Sequence, residues 1–181
     1  MLFDEYPAIE DDVVAIHALD AGDADALEDM CSNETVYCYL PTFLFELGFA
    51  DKREAIERMH TDCFLTRKSL HLGIYLKDDP AMMAGILEFY DYIEADRKTS
   101  IGYRLNERYW KHGLGTRVVG LARDYLIGVA GMRSITAHVM VQNGASGAVL
   151  LKNGFVLEES GLIEDWGFDD PVEVNKYAYR V

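Results

Sequence analysis

The stretch 101–116 admits few folds. Ile101-Gly102-Tyr103-Arg104-Leu105 is an extended run, and Trp110-Lys111-His112-Gly113-Leu114-Gly115-Thr116 is a loop carrying two glycines. From there Leu114, Val118, Leu121, Ala122, Tyr125 and Val129 share one helical face, and Gly131 supplies the stop. Residues 134–141 are rich in strand formers, so strand, helix and strand make a β-α-β unit. Glycines at its first turn leave main-chain N–H groups and the helix N-terminus open to an anion such as a pyrophosphate. A second signature follows at fixed distance: Asn143-Gly144-Ala145-Ser146, then Lys152-Asn153-Gly154-Phe155, a helix closed by Asn-Gly before a strand.

The remaining elements read more simply. A short β-branched strand over 12–19 runs into the cap and turn residues Asp20-Ala21-Gly22-Asp23 and a helix to about Met30. Asp51 caps an amphipathic helix whose apolar positions are Ile56, Met59 and Phe64. Strands are expected over 70–76 and 81–92, joined as a hairpin through Asp78-Asp79-Pro80, and a polar turn over 94–98 leads to a third antiparallel strand over 99–105. A last strand covers 172–181. The sum is an α/β fold of the α+β type: one domain over 1–181, with a mixed, mostly antiparallel sheet of six or seven strands and about four helices. The segment 41–50 has no assignable structure.

At 181 residues, half of them apolar, the chain is long enough to bury its own core. Its formal charge of -14 disfavours nucleic acid and anionic membranes as partners, and makes a cationic substrate the easier one to accommodate. No run is long enough for a membrane span, and Met1-Leu2-Phe3-Asp4-Glu5 lacks the basic start of a signal peptide, so a cytoplasmic protein is expected. Cys31, Cys38 and Cys63 form neither a disulfide framework nor a zinc motif and are expected to be buried, reduced thiols. The five histidines show no paired-ligand spacing, so no metal is expected. Twofold dimers are the commonest soluble oligomers, which keeps a homodimer open.

Other glycine motifs fail on residues. Val118 stands where a dinucleotide fingerprint needs its third glycine, and no Gly-Lys-Ser/Thr follows a four-residue gap. Ala148 stands where a nucleophile elbow over 144–148 needs its last glycine. The order Ile101-Gly102-Tyr103, Tyr109 through Thr116, Asn143 through Ser146 and Lys152 through Phe155 instead resembles the GNAT superfamily of acyl-CoA-dependent N-acetyltransferases. Within it, the pattern is most similar to the branch of ribosomal-protein and diamine N-acetyltransferases, where Trp110 at the head of the loop is common.

The resemblance implies acetyl-CoA as co-substrate, with the backbone of Tyr103, Arg104 and Leu105 along the pantetheine. Lys111, His112, Gly113, Leu114, Gly115 and Thr116 would surround the pyrophosphate, with Asn143 beside the pantetheine. Transfer to an amine requires a neutral nucleophile, a polarised thioester and a proton for the departing thiolate. Leu150 stands where many relatives place a proton-donating tyrosine, so Ser146 is taken as the donor. Thr99 and Ser100 occupy the strand position of a frequent catalytic glutamate; Glu94, then Glu88, are the acidic candidates for the base, and a water chain is the alternative. No cysteine lies at the motifs, which favours direct transfer in a ternary complex. Acceptors in order of preference are a protein N-terminus, a polyamine or similar small cationic amine, and an aminoglycoside-type amine. A CoA-binding sensor without turnover is the rival reading.

Overall fold

The computed structural model describes residues 2–181. Eight strands form one sheet: β1 (Ile9–Glu10), β2 (Val14–Ala18), β3 (Ser69–Leu76), β4 (Asp79–Ile93), β5 (Lys98–Leu105), β6 (Ser134–Met140), β7 (Val156–Glu164) and β8 (Val172–Arg180). Their order is β1-β2-β3-β4-β5-β6-β8-β7. Every pairing is antiparallel except that of β5 with β6, as a helical crossover between neighbours demands. The strand beyond the expected six or seven is β1, two residues held against Ile16 and Ala15 of β2.

Alternation along the strands divides the core in two. In β4, Ile86 faces α1 (Ala24–Cys31), the one-turn α2 (Glu34–Tyr37) and α3 (Lys52–Arg58), packing with Leu27, Met30 and Ile56. Leu87 and Phe89 face the other way, toward α4 (Leu114–Gly128) and α5 (Gly144–Lys152). On α4 the spacing of Val118, Ala122 and Leu126 makes one stripe, and all three are fully buried. Burial of a valine or leucine side chain stabilises by about 1.5–3 kcal/mol, so this stripe, rather than helix propensity, seats α4 on the sheet. The helix expected from Asp51 continues beyond α3 as a wider π-helical turn, Met59–Phe64.

Two irregularities shape the functional face. The parallel pairing of β5 and β6 covers only Lys98–Ser134, Thr99–Ile135 and Ser100–Thr136, and the strands part beyond it. In β4 the register shifts between Tyr90 and Ile93, where Asp91 takes a φ of 52°, a left-handed conformation that aspartate tolerates better than most residues. The cysteines differ from expectation: all three are free, but only Cys63 is buried, and Cys38 is exposed.

Candidate active site

Where β5 and β6 part, a cleft of about 1080 Å³ passes from the α4 side of the sheet to the face covered by α1–α3. Its α4 end is made of main chain. Gly113, the residue before α4, has a φ of 79° and offers no side-chain cap to the helix. The first N–H groups of α4 are therefore open, whereas α3 and α5 are capped by the side chains of Asp51 and Asn143. A Cβ built on Gly113 would meet nothing within 4 Å, so the space beside the turn is empty of protein. Lys111, Gly113, Leu114, Gly115 and Thr116 all line it. The beginning of α4 thus fits a diphosphate, which gains about 0.3–1 kcal/mol per favourable charge from the helix dipole alone. His112 is exposed and lies off the cleft wall, so the structure does not bring it to the other loop residues.

The middle of the cleft is the free margin of β5. From Ile101 onward its β6-facing edge has no strand partner, which leaves main-chain groups for an amide-bearing chain to pair with. Tyr103 and Leu105 join the core on the α4 side, whereas Arg104 is turned to the opposite face. Arg104 therefore contributes to the margin through its backbone only. Across the gap, Asn143 caps α5 by accepting from Ser146 N–H at 3.2 Å. The Ser146 hydroxyl meets the phenol of Tyr103. Burial raises the phenol's pKa, with the Ser146 hydrogen bond opposing it, so Tyr103 stays protonated at neutral pH.

The far end is acidic and aromatic. Glu88, Tyr90, Asp91, His138, Glu164 and Trp166 line it, beneath the segment 39–45. That segment is pinned across the cleft: Trp166 O accepts from Thr42 N–H at 2.8 Å, and Lys52 Nζ donates to Glu46 O and Phe49 O at 3.1 and 2.6 Å. Below it lies a buried charge cluster. Arg104 Nε is 2.5 Å from Glu46 Oε1, its Nη1 donates to Glu88 Oε2 at 3.2 Å, and Tyr37 O–H donates to Glu46 at 3.1 Å. Glu88 also lies 3.2 Å from His71 Nε2. Burial by itself would raise the Glu88 carboxyl, but His71 and Arg104 outweigh it and hold the group at about 2. A carboxylate so acidic anchors a cation well and accepts a proton poorly.

Of the acidic groups expected from sequence, Glu88 reaches the cleft and Glu94 does not. Glu94 sits in the exposed turn after β4, accepts from Arg67 at 3.1 Å and lies off the cleft wall. Thr99 and Ser100 are buried, and Ser100 bonds Thr136 at 2.8 Å across the last paired position before the strands part. No local pattern marks His138, Glu164 or the Tyr103 hydroxyl. Only the strand register, which sets Thr136 and His138 on the same face, could have singled out His138.

Comparison with known proteins gives the family and the fold. The model of the acetyltransferase (GNAT) domain matches residues 14–156. The chain is 25% identical over 177 residues to YoaA of Bacillus subtilis (strain 168), an uncharacterized N-acetyltransferase, with 96% of both proteins covered. Spermidine N-acetyltransferase from Vibrio cholerae, in complex with CoA and spermine, has the same fold, with a TM-score of 0.76 at 17% identity over 92% of this chain and 95% of that one. RimL, a ribosomal L7/L12 alpha-N-protein acetyltransferase in complex with coenzyme A, matches with a TM-score of 0.79 at 20% identity over 98% of each chain.

Proposed function

This chain belongs to the GNAT family of acetyltransferases, and from that premise we propose that it moves an acetyl group from acetyl-CoA directly to a cationic primary amine, a protein N-terminus or a polyamine. The observation that carries the reading is one cleft with two chemically opposite ends, joined where β5 and β6 part. Main-chain N–H groups and Lys111 suit the diphosphate, the free β5 margin suits the pantetheine, and Glu88 and Asp91 suit an ammonium. The spermidine enzyme and RimL, with their CoA complexes, support both halves by analogy.

The two reactants meet at the gap from opposite faces, so much of the acceleration comes from holding amine and thioester together. As the carbon–sulfur bond breaks, the thiolate takes a proton from Ser146, whose hydroxyl recovers one from the amine nitrogen that has bonded to the carbonyl carbon. The acceptor arm, roofed by Tyr39, Pro41, Phe43 and Phe45, gives the amine an apolar body to lie against.

The test is incubation with acetyl-CoA and a panel of polyamines and peptides with free N-termini, read by free thiol and by product mass. One class should gain a single acetyl group. Ser146→Ala should slow that transfer about 10²-fold while leaving acetyl-CoA affinity within a few-fold. Tight acetyl-CoA binding with no amine-dependent thiol release would identify a sensor instead.

A further inference from the structure

Among the described residues His138 is the one cleft-lining imidazole, and its two nitrogens are unlike. Nδ1 lies 2.5 Å from Glu164 Oε1, and the other carboxylate oxygen, Oε2, accepts from Trp166 Nε1–H at 2.8 Å. An ionised carboxylate only accepts, so in the neutral ring Nδ1 is the nitrogen that carries the proton and Nε2 the one that offers a lone pair. Nε2 has no hydrogen-bond partner among the described residues. The other histidines lack this arrangement. His60 uses both nitrogens, on Tyr6 and Leu19 O; His17 stacks on Tyr75 at the β2–β3 pair; His71 is sealed beneath Glu88; and His112 is off the cleft.

Position supports the same conclusion. His138 lies two residues beyond Thr136, the last residue of β6 paired to β5, and shares its face. It therefore stands on the acceptor face, at the lip of the gap where the thioester has to emerge. We infer that His138, oriented by Glu164 and Trp166, is the base that deprotonates the incoming amine; the inference rests on the acetyl-transfer reading above. The ammonium gives one proton to Nε2, from which it passes to solvent, while Nδ1–H stays bonded to Glu164. The neutral nitrogen bonds to the thioester carbon, and its second proton leaves by way of the Ser146 hydroxyl to the departing sulfur. Nothing else is consumed.

The groups that face this imidazole are Glu164 from β7, Lys176 opposite it on β8, and Glu88, Tyr90 and Asp91 of β4 across the cleft. Lys176 is engaged by Glu158 and Glu159, at 3.7 and 2.7 Å, which leaves Glu164 as the direct partner. Trp166 links the base to the roof, because its carbonyl accepts from Thr42. Closure of the roof and orientation of the base thus share one residue.

The experiment is the pH dependence of kcat/KM for wild type, His138→Gln and Glu164→Gln, with acetyl-CoA affinity measured on each to confirm folding. At neutral pH His138→Gln should fall about 10²-fold or more, the usual range for loss of a general base. The deficit should narrow as the pH approaches the amine's own pKa, because the acceptor then arrives neutral. Added imidazole should partly restore His138→Ala. Glu164→Gln should lose less in kcat and shift the profile, as expected of a residue acting through the ring. A His138→Gln enzyme within a few-fold of wild type, with an unchanged profile, would overturn the assignment and leave the transferase reading intact. Wild-type protein that acetylates no amine would overturn both.

Discussion

Glu88 occupies a position in which burial and charge oppose each other. Desolvation favours its neutral form, yet the His71 imidazole and the Arg104 guanidinium win, and the carboxyl titrates near 2 instead of the usual 4.5. Because the folded-state value is the lower one, the stabilisation is fully present above about pH 4.5 and is lost as pH falls toward 2. At ~1.4 kcal/mol per unit it is on the order of 3 kcal/mol. Glu88→Gln should therefore destabilise the protein at neutral pH by roughly that amount, and the gap to wild type should shrink to about half or less by about pH 3 on its way to closing near pH 2, measured as urea unfolding at neutral pH and at pH 3. An equal gap at both would mean that the mutation acts through packing. Local sequence did not disclose this cluster: nothing in Phe45-Glu46-Leu47 marks Glu46 as fully buried, since its partner Arg104 is brought to it only by the tertiary fold.

At the scale of elements, α4 is the clearest case of structure read from residues. Its apolar stripe and flanking glycines placed a helix over 114–129, and the structure gives Leu114–Gly128. The strand before it and the parallel return were equally legible, because a helical crossover leaves no other pairing. The order β6-β8-β7 was not legible, since no local pattern says that β8 slips between its predecessors, and with it went the meeting of His138 and Glu164. The two glycines that flank α4 permit a controlled test. Gly113 and Gly131 have φ values of 79° and 72°, and a Cβ on either meets nothing within 4 Å. Valine at either position should cost a similar 1–2 kcal/mol of backbone strain, seen as equal losses in Tm. Only Gly113→Val places its side chain in the proposed diphosphate cradle, so it alone should weaken acetyl-CoA binding, by more than tenfold in titration calorimetry. Equal binding by the two variants would remove the diphosphate from that turn.

The whole molecule carries a formal charge of -14, and on the proposed reading it has to admit two substrates of opposite sign. A polyanion approaching α4 meets local help from main-chain dipoles and Lys111, but crosses a repulsive field to reach them. The amine is drawn by that same field toward a mouth containing Glu88, Asp91 and Glu164. Long-range terms decay with the Debye length, which shrinks from about 30 to about 10 Å between roughly 10 and 100 mM salt. Short contacts inside the cleft are screened far less. Over that salt range, kcat/KM for a polyamine should fall about tenfold, while kcat/KM for acetyl-CoA holds steady or rises. The opposite signs separate a field effect from general inhibition by ions, which would depress both together. A neutralised acceptor end, such as Asp91→Asn with Glu164 intact, should flatten the polyamine slope and leave the acetyl-CoA slope unchanged, because Asp91 lies on the far side of the gap from the α4 turn.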